Sequence, residues 1–522
     1  MLSRVKGAAL QGIEGENVTV EVDLTRGIPG FNVVGLGDMA VKEAGQRVKS
    51  AIINSGFEYP QKKVVVNLVP AYMHKKGSGF DLAIAMGILS AEGLFSKSGA
   101  SYMENGAFIG ELRLDGSLSA VKGILSMAKA IAEKKEDIKY VVIPQENAEE
   151  GVLAQQAYGI KMIPAKCLWD VVKYVTLKKC EDSDFSKDFT QITESDDKIK
   201  LDFKDVKGQW AAKEALAAAV CGNHGVLMTG PPGSGKTMMA KRISTILPDM
   251  SPKEILETSM IYSAAGMFND GKAFIRKRPF RMTDPSITAA GLVGGGTVPY
   301  PGEVSLAHNG VLFLDEFLEF EREKIEALRK PLEDRQVRLI RNGQTYTFPA
   351  GFLLVAASNP CKCGYYGDDF HVCTCTQTQL SQYRNRLSGP MADRIDMFVE
   401  VRRVEFDVLT SDDEGSSAKL REMVEQGRCM QEKRFVGMDI DFNGQMSEKE
   451  IEEFCVLGRD EKFFAEKAFG KYGFSSRRYH KILKVARTLA DIEGSSDIKI
   501  YHLAAAFKYT LSLAEERMAP NE

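Results

Sequence analysis

The chain has 522 residues, of which 44% are apolar and 27% charged, and a formal net charge of -3. That length exceeds what one hydrophobic core supports, so about two to four domains are predicted, and the composition excludes fibrous and disordered classes as overall descriptions. The nearly balanced charge excludes a globally basic nucleic-acid binder, so DNA contact would need local basic patches or charge concentrated by assembly.

The opening MLSRVKGAALQGIEGENVTVEV lacks the basic-then-apolar layout of a secretory signal, and no stretch offers about 20 uninterrupted apolar residues. A cytoplasmic protein with no membrane partner is expected. Residues 1–175 alternate strand-like and helix-like patterns (VTVEVDL, FNVVGLG, a helix from Met39 to Ser55, KVVVNLV at 63–69), which predicts a compact α/β domain. Residues 176–204 are acid-rich and lack apolar periodicity, reading as a linker. A second α/β region, 205–410, opens with the helical DVKGQWAAKEALAAAV. It continues through HGVLMTG, VLFLD (311–315) and FLLVAAS (352–358), short runs apolar on both faces, as central parallel strands must be when helices cover a sheet. Residues 411–522 carry apolar stripes near period 3.6 and predict a helical lid.

The chemistry starts where the first buried strand of that region ends. Gly230-Pro231-Pro232-Gly233-Ser234-Gly235-Lys236-Thr237 fits G-x-x-x-x-G-K-[ST], between a strand and a helix opening at Met238. Glycine allows a tight arc whose N–H groups ligate phosphate oxygens, and the helix N-terminus adds positive potential. ATP and Mg²⁺ are the expected cofactors, with Lys236 on the β- and γ-phosphates and Thr237 on the metal. VLFLDE delivers Asp315 toward Mg²⁺ and Glu316 toward the attacking water at a strand's C-terminal end. Asn359, ending the next apolar strand, is a candidate sensor of the γ-phosphate. Arg394 in GPMADRID and Arg477 with Arg478 in SSRRYHK supply planar cations suited to phosphate.

Nine cysteines would permit disulfides in a secreted chain. Here Cys361-x-Cys363 and Cys373-x-Cys375 form two pairs separated by nine residues, the number of soft ligands a structural Zn²⁺ site requires. The one-residue spacing is tighter than usual, so reduced free thiols are the alternative, and His371 could replace one thiolate.

Taken together, GPPGSGKT, RPFR, GLVGGGTVPYPGEVSLAHNGVLFLDE, LRKPLEDRQV, SNPCKCGYYGD, SGPMADRID and SSRRYHKILKVARTLAD resemble the magnesium-chelatase-like AAA+ proteins, specifically the YifB/ComM family, over nearly the whole chain. The resemblance implies that Asn359 is sensor 1, Arg394 a trans-acting arginine finger and Arg477 the sensor 2 arginine. It further implies a homo-oligomer, a hexameric ring in which one subunit completes its neighbour's site. Met282-Thr-Asp-Pro-Ser286 replaces the paired histidines usual after RPFR, and Ala505 and Thr510 stand where glutamate and arginine are common. The N-terminal domain is similar to the Lon-protease fold through GELRLDGSLSAVKGIL and VVIPQENAEEG, but Gly79 fills the nucleophile's position. Ser78 and Lys122 are candidates for a displaced dyad. The domain reads rather as a structural or partner-binding tier.

VRLIRNGQTYTF carries Asn342-Gly343 between alternating runs, a hairpin signal that resembles the pre-sensor hairpin of helicase-like AAA+ proteins. Arg338, Arg341 and Lys330, with Arg276, Lys277, Arg278 and Arg281, would make a ring's pore basic. The alternative is that they are ordinary solvated charges. The function implied is a DNA motor similar to branch-migration helicases acting on recombination or transformation intermediates. A chelatase-like motor remodelling a partner protein is the second reading, and a Lon-like protease the third.

Overall fold

A computed structural model describes residues 2–34, 39–70, 79–134, 138–178, 201–268, 274–297, 299–341, 343–404, 415–472 and 474–511. Ser78 and Asn342 lie outside the described residues. The chain divides into two compact units. The first is Met1–Asp196 with Ser251–Arg276 and Ile340–Phe348, and the second is Asp197–Met250 with Lys277–Leu339 and Pro349–Glu522.

In the first unit, β1 (Leu2–Gln11), β2 (Glu14–Thr25), β3 (Gly30–Val34), β4 (Lys63–Val69), β5 (Gly106–Phe108), β8 (Tyr140–Pro144) and β9 (Lys161–Ala165) form one sheet in the order β3-β4-β2-β1-β5-β8-β9. A small ladder joins β6 (Glu111–Leu112) to β7 (Leu118–Ser119). The alternation read in VTVEVDL is a half-buried strand: Val18, Val20, Val22 and Leu24 of β2 are buried while their neighbours are not. The helix Asp81–Glu92 is apolar on nearly every side and is buried accordingly. Its first residue, Asp81, is paired with Arg47 at 2.8 Å, yet burial still pushes its carboxyl up to about 6. The helix Pro252–Ala265, which sequence order would assign to the ATPase region, belongs to this unit. Its Leu256 and Met260 pack against the cluster containing Ile124, Leu125 and Leu153.

In the second unit, β10 (Val226–Thr229), β11 (Phe280–Thr283), β14 (Val311–Leu314), β17 (Leu353–Ser358) and β18 (Met397–Glu400) form a parallel sheet in the order β11-β14-β17-β10-β18. The shorter pair β12 (Gly294–Gly295) with β13 (Tyr300–Pro301) lies in this unit; β15 (Gln336–Arg341) pairs with β16 (Gln344–Pro349), and Ile340–Phe348 of that hairpin counts with the first unit. Every residue of β10, β14 and β17 is buried, which explains their continuous apolar runs.

Helices Trp210–Gly222, Ser417–Arg434, Ser476–Ile492 and Ile500–Thr510 share one apolar core with this sheet. Asp491 is fully buried among them. It accepts from Arg434 at 2.6 and 2.7 Å, from Arg487 at 3.0 Å and from Asn443 at 2.8 Å, so its charge is matched inside the core. Among the described residues no helix is long and apolar enough to cross a membrane.

Candidate functional site

Register brings the predicted residues to one edge of the sheet in the second unit. Thr229 pairs with Ser358 on one side and Glu400 on the other, and Leu314 pairs with Ala356. The loops leaving β10, β14 and β17 therefore start side by side at the carboxyl ends of parallel strands, where open α/β sheets bind ligands. Gly233 and Gly235 take φ of 77° and 94°, a left-handed conformation that side chains resist, and so turn the chain sharply into the helix Lys236–Arg242.

Within this loop the Lys236 ammonium donates to the carbonyls of Gly230 at 2.7 Å and Pro231 at 2.9 Å, and lies 3.4 Å from Asn359 Oδ1. These neutral oxygens occupy the role phosphate oxygens would take. Burial lowers the Lys236 pKa to about 8, with Asp315 acting weakly in the opposite sense. Thr237 Oγ1 donates to Asp315 Oδ2 at 2.9 Å, so the two expected Mg²⁺ contacts already face one another. Ser234 Oγ is buried without a partner among the described residues, an orphan donor in the middle of the loop. The donor set and the orphan both fit a bound triphosphate. Met238 is partly exposed on the helix, and its carbonyl accepts from Arg242 Nη1 at 3.1 Å. Pro232 and Gly233 are exposed.

Glu316 sits at φ 52°, which costs a non-glycine residue on the order of 1–2 kcal/mol. Its N–H donates to Asp315 Oδ1 at 3.0 Å, and its carboxylate is exposed with no hydrogen bond among the described residues. The kink sets the two neighbouring acids to different tasks, Asp315 bonded to Thr237 and Glu316 facing solvent.

The arginines divide between two cavities of this unit. Arg394 and Arg477 line one of about 530 Å³, where Arg394 is ion-paired to Glu333. Burial and repulsion from Arg329 and Arg477 lower the Arg394 pKa. Arg478 lines a second cavity of about 390 Å³, together with Gly230, Pro231 and Asn359 of the phosphate-loop edge. Arg384 lines it too, stacked over Tyr366 at 4.7 Å with Nη2 buried and unpartnered among the described residues. Sequence reasoning passed over Arg384, whose only local signal was a helix end.

Cys361, Cys363, Cys373 and Cys375 converge, their sulfurs all within 4.8 Å of one another. Three pairs stand at 3.3, 3.5 and 3.7 Å. A tetrahedral Zn–S length near 2.3 Å requires sulfurs about 3.8 Å apart, so the cluster has the size of a four-thiolate zinc site. Burial acts to raise the Cys363 thiol, but the backbone N–H groups of Tyr365 and Thr374 prevail and hold it at about 6. His371 lies outside the cluster, bonded to Asp368 at 3.2 Å and stacked on Tyr365.

Of the basic residues, Arg278 donates to the carbonyls of Pro248 and Asn309, both at 2.8 Å, and Arg281 grips Glu303 at 2.6 and 2.7 Å. Both are committed to the fold. Arg276 lies over the Phe274 ring at 5.0 Å in the first unit, and Lys277 is exposed in the second. Arg338 and Arg341 are exposed on β15. Where paired histidines were absent, Asp284 closes a turn by accepting from Ser286 N at 2.8 Å. In the Lon-like region, Lys122 is exposed beside Gly266, and Ser263 bonds the buried Glu150.

The family model described as "Magnesium chelatase, subunit ChlI" matches residues 202–409, with "Subunit ChlI of Mg-chelatase" on 20–147 and "Magnesium chelatase, subunit ChlI C-terminal" on 414–510. The chain is 41% identical over 517 residues to the competence protein ComM of Haemophilus influenzae, covering 97% of each chain. It is 38% identical over 510 residues to the uncharacterized protein YifB of Escherichia coli, again covering 97% of each. Over 143 residues it is 34% identical to Lon protease 2 of Bacillus subtilis, 26% of either chain. With the phosphate loop, the paired acids and the parallel sheet in place, these similarities establish that the chain belongs to the YifB/ComM family of magnesium-chelatase-like AAA+ proteins.

Proposed function

We propose that this protein hydrolyses ATP as a six-membered homo-oligomeric ring in the cytoplasm and uses the energy to move branched or single-stranded DNA. The observation carrying the ATPase reading is the convergence of Lys236, the Thr237–Asp315 pair, Glu316 and Asn359 at one sheet edge. Lys236 exchanges its loop carbonyls for phosphate oxygens, and the loop N–H groups hold the triphosphate. Mg²⁺ held by Thr237 and Asp315 supplies charge neutralisation. Glu316 accepts the proton of the attacking water, which Asn359 orients. Arg394, the arginine finger, reaches the site of an adjoining subunit, and Arg477, which lines the same cavity as Arg394, is the sensor 2 arginine. The four cysteines hold one Zn²⁺.

The DNA reading is supported by the similarity to a competence protein and by the exposed Arg338 and Arg341. Commitment of Arg278 and Arg281 to internal partners favours the second reading, a chelatase-like motor that remodels a protein partner held by the N-terminal tier. The ATPase rate with single-stranded, duplex and branched DNA separates the two. The DNA reading expects the largest stimulation from branched DNA and ATP-dependent movement of a junction. It is lost if active ATPase neither binds DNA at low salt nor moves it.

A further inference from the structure

The cysteine cluster begins two residues after Asn359, and its first turn touches the phosphate loop directly. Gly364 follows the Cys361-x-Cys363 pair, and its N–H donates to the Cys361 carbonyl at 3.0 Å, so the ligand pair fixes its position. It adopts φ of 88°, and a Cβ there would lie 2.8 Å from Cγ and Cδ of Pro232 and 4.0 Å from Cγ of Asn359. The missing side chain is what lets the cysteine turn lie flat on the proline ring of the phosphate loop. A second route runs through the chain itself, from Cys361 past Pro360 to Asn359, whose Oδ1 lies 3.4 Å from the Lys236 ammonium. Both routes end on the phosphate loop, one on the Pro232 ring and the other on the Lys236 ammonium.

We infer that the metal-bound cysteine knuckle is a positioning device for the nucleotide site: the zinc fixes Gly364 against Pro232 and Asn359 against Lys236, and ATP affinity depends on its occupancy. The inference rests on the ATPase reading above. It assigns the metal a task inside its own subunit, independent of DNA. Without the metal, four free thiols have no reason to hold the turn, and the phosphate loop loses the wall that keeps Pro232 in place. Adding a methyl at position 364 with the metal still bound should displace the same loop from outside.

The test measures zinc by elemental analysis and Mg·ATP dissociation constants by calorimetry on the full-length protein. Wild type is expected to carry about one zinc per chain. Gly364→Ala is expected to retain the zinc and a single cooperative melt, at a temperature lowered by the strain of a methyl group at φ of 88°, while its ATP dissociation constant rises roughly tenfold. Combining it with Pro232→Ala, which removes the ring the methyl meets, should restore affinity to within about twofold of Pro232→Ala alone, the non-additivity expected of residues in contact. Stripping zinc with a chelator, followed by desalting into Mg²⁺, should weaken ATP comparably, and zinc readdition should restore it. This second arm stands even if Gly364→Ala fails to fold. The inference is overturned if stripped and loaded protein bind ATP equally, if Gly364→Ala binds like wild type, or if the double variant is additive. A wild type that binds zinc but no ATP overturns the ATPase reading and this inference with it. A wild type that binds ATP without zinc overturns this inference alone.

Discussion

If the site binds ATP as proposed, Lys236 gives that binding a pH dependence. In the free protein its ammonium is packed into the loop with two carbonyls and an amide oxygen as partners, and burial lowers its pKa to about 8 from the ordinary 10.5. A triphosphate brings several negative charges against it and returns the pKa to at least its ordinary value. Between those limits, binding ATP takes up a proton. With a free-protein pKa of about 8, uptake is about 0.1 proton at pH 7 and about 0.9 at pH 9. The apparent ATP affinity accordingly falls about tenfold over that interval, roughly 1.4 kcal/mol. Calorimetry in two buffers of different ionisation enthalpy reads the proton uptake directly, and the same titrations give the affinity. A flat affinity from pH 7 to 9, or the same slope in Lys236→Met, would refute the reasoning.

The linkage to folding has a definite sign. The folded pKa lies below the unfolded one, so between pH 8 and 10.5 the unfolded chain holds more protons and this group's contribution to stability rises with pH. Below pH 8 the charged ammonium is a constant deficit. The full gap corresponds to about 3 kcal/mol, reduced to about 1–2 kcal/mol because the group is partly solvated. Nucleotide removes that deficit, so thermal stabilisation by ATP should be larger at pH 7.5 than at pH 9.5.

Glu316→Gln is expected to bind ATP with unchanged affinity while turnover falls about 10²–10⁴-fold, measured by phosphate release beside a binding titration. Arg394→Ala should leave ATP binding by the isolated chain intact and slow hydrolysis about 10³-fold in the assembled protein. Mixing it with Lys236→Ala subunits tests whether the arginine acts across subunits, since partial activity returns only if it does. Asp491→Ala should lower unfolding free energy by about 3–5 kcal/mol in urea denaturation, because it strands Arg434 and Arg487 without a countercharge in the core. No casein cleavage is expected from the full chain, and none should appear on Lys122→Ala; cleavage that survives Lys236→Ala would restore the protease reading.

The parts of the site carried by contiguous residues were legible in the sequence. Gly230–Thr237 needs its glycines, lysine and hydroxyl at fixed offsets between a buried strand and a helix, and the apolar runs before Asp315 and Asn359 put both at strand ends. The cysteine cluster was legible for the same reason, since two close pairs on one short loop can meet without help from the rest of the fold.

What the sequence could not carry were facts set by distant partners or by helix phase. Arg278 and Arg281 look like surface cations in a basic run, but their partners are carbonyls about 30 residues away and Glu303. Arg477 and Arg478 are adjacent letters, yet successive residues on a helix point about 100° apart. The structure puts one beside Arg394 and the other at the phosphate-loop edge. Helix Pro252–Ala265 has an ordinary capping box and apolar stripe that say nothing about which core it joins. Gly364 is the sharpest instance: in sequence it is one glycine after a cysteine, and only the approach of Pro232, more than 130 residues upstream, makes its missing side chain necessary. Local chemistry announces itself in local spacing; the residues that hold such chemistry in place do so through long-range contacts, and these are the positions where substitutions will separate nucleotide binding from metal binding.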